Sequence, residues 1–294
     1  MGRSGMISKR GSFWLQCVVI GFCLTASAVA TITVKRIADH KSEENFSVII
    51  EQAVTSLRRT AEIYERTLGG LAGLFIASDN ISFVEMDDYA SAINIRENRS
   101  GINALGFASH PDPDSDSLIV QRLRPRTPGD SVIGTDFNLY PDVIAAAKRA
   151  RETGKLALVA DVALPINGEP VKKGIMLRPV TRGERVSEDG TRRPERFLGY
   201  VFAILDMDRA FDTLSPAQNN LVELRVWLTH AETDAPALFQ NISDENANPA
   251  PKFQRDMEVS GFGQPMRLRW SGSNRFDEIQ PFRAHWILLA LCLS

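Results

Sequence analysis

Metal, nucleophile and phosphate chemistry each need particular residue types at particular spacings, and this sequence of 294 residues offers few of them. Its four histidines, His40, His110, His230 and His285, lie far apart, so no His-Glu-x-x-His zinc helix can form. Cys17 and Cys23 lie near one end and Cys292 near the other, leaving the region between without a disulfide or a thiolate ligand. No Gly-x-Ser-x-Gly turn presents a nucleophilic serine. Gly69, Gly70 and Gly73 lack the strand, spacing and lysine of a phosphate loop, and Gly261 and Gly263 lack the third glycine of a dinucleotide fingerprint. Asp112, Asp114 and Asp116 imitate the opening of a calcium loop, but Ser117 and Leu123 stand where that loop needs a glycine and a bidentate glutamate. The sequence therefore calls for no metal, no cofactor and no catalytic activity in this portion of the protein.

Charge narrows the partners. Arg3, Lys9 and Arg10 are the only charged residues before Lys35, so the remainder holds 31 of the 34 basic residues against all 36 acidic ones. An acidic excess without a basic cluster excludes a nucleic-acid surface. With 44% hydrophobic residues the chain can build one large or two small cores.

Residues 13–34 carry no charge and are long enough for a membrane-crossing helix, which takes roughly 20 apolar residues. The three basic residues before this run place residues 1–12 in the cytoplasm and the chain after Lys35 outside. Ala28-Val29-Ala30 also fits a signal-peptide cleavage site, the alternative reading. At the far end, residues 285–294 read as the start of a second transmembrane helix, with a last buried strand as the alternative. From Phe46, apolar residues recur at Ile50, Ala53, Leu57, Ala61, Tyr64, Leu68, Leu71 and Phe75. Steps of three and four mark one face of a long helix, which either packs on its own domain or pairs with a second copy.

Turn and cap signals agree over the longest distance between Gly134 and Leu214. Pro141 suits a first helical position, Asp142 sits at the positive end of the helix dipole, and Gly154 stops the helix. Residues 157–164 and 174–180 then read as strands joined by the Asn167-Gly168 turn, and residues 197–205 as a third strand beyond a charged loop at 181–196. A second helix is expected over residues 81–95, with Phe83, Met86, Tyr89 and Ile93 on one face, and a first strand over 102–108. Residues 220–228 and 253–270 add further strands, the latter broken at Gly261 to Pro265. The order predicts an α+β fold with antiparallel sheets and helices over one face.

Five phrases in this order, Gly101-Ile-Asn-Ala-Leu-Gly-Phe107, Gly134-Thr-Asp136, Ala150-Arg-Glu-Thr-Gly-Lys155, Gly174-Ile-Met-Leu-Arg-Pro-Val180 and Phe197-Leu-Gly-Tyr-Val-Phe202, resemble CHASE domains. These are the extracytoplasmic sensory domains of bacterial histidine kinases, diguanylate and adenylate cyclases, and plant cytokinin receptors. The resemblance implies a stalk helix (residues 35–74), a membrane-distal PAS-like ligand-binding subdomain (75–214) and a smaller membrane-proximal sheet subdomain (215–284), between two transmembrane helices. It further implies a small-molecule ligand, attachment to the cell membrane with the sensory part periplasmic, and a homodimer formed through the stalk. The whole protein would then be a sensor histidine kinase of a two-component system or a diguanylate cyclase. A membrane-anchored or secreted binding protein without signalling output is the alternative.

In the plant receptors of this family a carboxylate on the helix before the Ala-Arg-Glu-Thr-Gly-Lys phrase anchors a purine-like ligand. The matching residue here is Val143, so that anchor is absent. The strand position that follows maps to Val159. Strand alternation puts Asp161 and Ala163 on the face of Val159, and the next strand offers Leu177 or Arg178. Asp161 is the expected polar contact to ligand, or else a strand-end residue pairing with Arg178.

Overall fold

The computed structural model describes residues 7–78, 81–93, 101–110, 117–125, 132–186, 192–193, 195–212, 221–229, 237–242 and 247–278. One continuous helix, α1 (Ile7–Ala77), opens the chain; at 1.5 Å per residue it is roughly 100 Å long. Its apolar stripe does pack on the protein's own sheets: Phe46, Ile50, Leu57, Tyr64, Leu68, Leu71 and Phe75 are buried and Ala61 is half-buried. Nearer the start, Phe22, Val29, Ile32, Val34 and Ile37 are exposed. Among the described residues no helix is long and apolar enough to cross a membrane. Residues 285–294, expected to begin a second span, lie outside the described residues.

Gly70, which belongs to no phosphate-loop signature, serves close approach. A side chain on Gly70 would collide with Tyr89, whose hydroxyl donates to the Thr67 carbonyl at 2.6 Å. That tyrosine belongs to α2 (Phe83–Ala92), which is shorter than the 81–95 expected from periodicity. A capping box starts it: Ser82 Oγ accepts from the Glu85 amide, and the Glu85 carboxylate accepts from the Ser82 amide at 2.7 Å. Its buried residues are Met86 and Ala90, whereas Phe83 is exposed beneath the Arg122 guanidinium. A short helix turned to bury one contact line keeps only part of a predicted face.

Five strands form the first sheet: β1 (Ile102–Ser109), β2 (Ile119–Pro125), β3 (Ala157–Ile166), β4 (Glu169–Arg182) and, after a small ribbon of β5 (Arg185–Val186) and β6 (Arg192–Arg193), β7 (Arg196–Leu205). Their order is β2-β1-β7-β4-β3, all antiparallel. The β3–β4 turn is Asn167-Gly168, both residues having positive φ as a two-residue hairpin demands. β2 escaped the sequence reading because only Ile119, Val120 and Leu123 are apolar in it, and the charged loop proves to contain the β5–β6 ribbon.

Helices cover both faces of this sheet, not one. Leu105, Phe107, Met176, Val180, Val201 and Ala203 face α1, while Ala104, Ala108, Ile175, Leu177, Tyr200, Phe202 and Ile204 face the helix α3 (Pro141–Thr153). Strand alternation gives two apolar faces where the central strands β1, β4 and β7 are buried on both sides. The Arg182 guanidinium, at the end of β4, ties the sheet to the C-terminus of α1 by donating to the carbonyls of Phe75 and Ser78 at 3.1 and 2.7 Å.

After the short helix α4 (Met207–Asp212), the strands β8 (Val222–Leu228), β9 (Phe239–Gln240), β10 (Gln254–Gly261) and β11 (Gln264–Gly272) build a second antiparallel sheet in the order β10-β11-β8-β9, followed by α5 (Asn274–Glu278). The break at Gly261 to Pro265 is its hairpin turn. Leu224, Val226, Val259, Met266, Leu268 and Trp270 join the α1 stripe in one cluster, so α1 is the common backing of both sheets. The architecture is a long N-terminal helix followed by two antiparallel sheets.

Candidate functional site

The phrase before α3 builds one end of the apolar layer between α3 and the sheet. Asp136 accepts from the amides of Leu118 and Asn138 at 3.0 and 2.9 Å, fixing a 3₁₀ turn (Phe137–Leu139) that drives Phe137 under the sheet. Desolvation by itself would raise the Asp136 carboxyl, but the amides of Asn138 and Leu118 and the Ser117 hydroxyl outweigh it and hold the group below the usual carboxylate range. A group depressed in the folded state stabilises above its unfolded pKa, and that contribution is lost as pH falls through the folded value. Asp136→Asn should therefore be less stable than the parent at about pH 6, with the gap narrowing towards about pH 3. Urea midpoints at the two pH values check it.

Pro141 then starts α3 at its first position, and Gly154 ends it in the left-handed conformation (φ 69°), its amide donating to the Ala150 carbonyl. The face so created presents Val143, Ala146, Ala147 and Ala150 to the sheet. Opposite lie Ala157, Val159, Val162 and Leu164 of β3, with Ile175 and Leu177 of β4. On β1 the same face carries only Ala104, Gly106 and Ala108, and the Phe202 ring occupies the space above them: a Cβ on Gly106 would overlap that ring. Phe202 meets Phe137 edge-on at 5.2 Å between ring centroids.

The rim beside the end of α3 is aromatic and cationic. The Arg151 guanidinium lies 4.2 Å from the centre of the Phe197 ring, Phe197 meets Tyr200 at 5.1 Å, and His110 lies 6.5 Å from Phe197. Burial pushes the Tyr200 hydroxyl up, with Arg151 opposing. Such a rim can orient a polar or π-faced molecule over an apolar floor.

Of the six residues singled out in the sequence, the fold brings three together. Val143, Val159 and Leu177 lie in the one cluster between α3 and the sheet. Asp161 and Ala163 do not join them, because the pairing of β3 with β4 slips between Val159 and Val162 and Asp161 takes a left-handed φ of 55°. Beyond this bulge the alternation restarts, so Val162 and Leu164 inherit the inner face while Asp161 and Ala163 are exposed. Asp161 pairs with Lys172 at 3.9 Å rather than with Arg178. Arg178 points the other way from Leu177, its guanidinium beside Gly69 of α1. The rim residues Arg151, Phe197 and Tyr200 were missed, although they stand inside the phrases that carry the family resemblance.

The CHASE domain family model matches residues 107–239, the stretch from β1 to β9 that contains α3 and all of β3, β4 and β7. No curated protein matches the chain. Among solved structures, the chain is similar to the periplasmic sensory domain of the Campylobacter jejuni chemoreceptor Tlp1, at 9% identity and a TM-score of 0.47, with 83% of this chain and 98% of that chain covered. It is also similar to Methyl-accepting Chemotaxis protein X, at 10% identity and a TM-score of 0.37, covering 82% of this chain and 97% of that one. Residues 107–239 of this chain are thus similar to the CHASE domain family.

Proposed function

We propose that this chain is the extracytoplasmic ligand-sensing part of a transmembrane signal-transduction receptor of the histidine kinase or nucleotide cyclase type. The observation that carries the reading is the CHASE match at residues 107–239, over the very stretch that folds into the sheet face covered by α3. The uncharged run at residues 13–34 lies within α1, where Phe22, Val29, Ile32 and Val34 are exposed among the described residues, and this supports a membrane anchor continuous with the stalk. The ligand is a small molecule held between α3 and the sheet, with Val143, Val159 and Leu177 in its lining and PAS-like packing around it. With valine at 143 the lining lacks a carboxylate there, which favours a ligand other than the purine-like class.

Thermal unfolding of the detergent-solubilised chain against amino acids, small carboxylates, nucleobases and amines tests this reading. A true ligand at about 100 times its Kd should add about 2.7 kcal/mol to the folded state. If no member of the panel raises the transition, and none protects the amides of α3 and β3 from exchange, the ligand-sensing reading fails.

A further inference from the structure

Strand β3 lies at the edge of the first sheet, so one row of its backbone groups has no partner strand. The turn between β10 and β11 covers part of that row. Gln264, only 8% exposed, donates from Nε2 to the Leu158 carbonyl at 3.0 Å. Its neighbours Phe262 and Gly263 form the two-residue turn, with φ of 53° and 77°. Gly263 rests against the Leu156 backbone so closely that any Cβ there would overlap the Leu156 carbonyl. The Phe262 ring reaches Tyr64 of α1 at 5.4 Å and Phe211 of α4 at 5.7 Å between centroids.

We infer that this turn, Phe262-Gly263-Gln264, couples the site under α3 to the second sheet and to α1. The inference rests on the ligand-sensing reading above for its biological meaning, but the mechanics stand on contacts. Leu156 follows the α3 terminator Gly154 by two residues, so a displacement of α3 reaches β3 at once. From Leu156, just before β3, the residues alternate in what they feel: Ala157 and Val159 face the α3 cluster, whereas Leu156 and Leu158 belong to the α1 cluster and hold the turn. One strand therefore touches both the site and the coupler. A cleft of about 380 Å³, bounded by Arg58, Glu62 and Lys155 on one side and residues 260–265 on the other, leaves the turn room to move. Interiors are close-packed and transmit displacement instead of absorbing it.

Hydrogen exchange of the full chain tests the coupling without any ligand. Val143→Ala loosens the α3 side. In the parent background it should speed exchange at least about fivefold in α3 and β3 and also in β10, β11 and the α1 peptide around Tyr64. In a Gln264→Met background, which keeps side-chain length and burial but removes the donor, the response of β10 and β11 should be lost. Phe262→Leu interrupts the α1 contact independently and should spare the Tyr64 peptide alone. Exchange in β10 and β11 that ignores Val143→Ala in the parent, or responds equally in the parent and both turn variants, overturns the inference. A chain that binds ligand yet shows either result would keep the sensing reading and lose the coupler; a chain that binds nothing yet transmits would do the reverse.

Discussion

Replacing Phe202 by alanine is expected to cost the fold about 3–5 kcal/mol, among the largest losses any single truncation here would cause. The ring is fully buried in the cluster under α3, edge-on to Phe137 and directly above Gly106. Cavity cost depends on how far the surroundings can collapse, and here they cannot collapse far. The floor is the backbone of β1 bearing Ala104, Gly106 and Ala108, and that strand is pinned between β2 and β7. Urea unfolding should show a lower midpoint at an unchanged slope. The partner substitution Gly106→Ala puts a methyl where the ring lies and should itself destabilise, by about 1–3 kcal/mol. In the double variant the methyl enters the vacated space, so the two losses should fall well short of additive. A loss below about 1 kcal/mol for Phe202→Ala, or full additivity, would mean that the ring does not fill this site.

Trp270→Ala should act on the second sheet with a similar size, about 3–5 kcal/mol. Trp270 is fully buried near the end of β11, opposite Leu224 of β8 and Arg255 of β10, in the cluster that joins this sheet to α1. Its indole N–H is the informative detail: among the described residues it is buried without a hydrogen-bond partner. An unmade hydrogen bond in the interior costs about 1–3 kcal/mol, so Trp270→Phe removes a burden along with some apolar area. The phenylalanine variant should therefore lie much closer to the parent than the alanine variant. Chemical denaturation of the two variants decides the matter, and a Phe variant as unstable as the Ala variant would show that the N–H is satisfied in solution. Because both sheets share α1 as backing, Trp270→Ala should also lower protection in the α1 stripe near Leu57.

Local rules were legible in the residues themselves. The spacing from Phe46 to Phe75 specified a helix and its buried stripe, since helical periodicity depends only on neighbours three and four apart. Pro141 and Gly154 marked the bounds of α3, Asn167-Gly168 marked a hairpin turn and Gly261 to Pro265 a break between strands, because positive φ and a missing N–H are properties of single residues. Four of the five family phrases lie inside the stretch that the CHASE model matches, and the first meets its start at Phe107.

What the tertiary structure alone decided is how those pieces face one another. Periodicity could not say that α1 and α3 would take opposite faces of the sheet, since a strand buried on both sides reads as a continuous apolar run. The bulge at Asp161 reversed the expected orientation of Asp161 and Ala163. A one-residue slip moves every later side chain to the other face, and the slip is set by pairing with β4, not by β3 itself. The seat of Gln264 on Leu158 joins residues 106 positions apart along the chain. Such contacts follow from which edge a sheet leaves open, and only the assembled fold determines that.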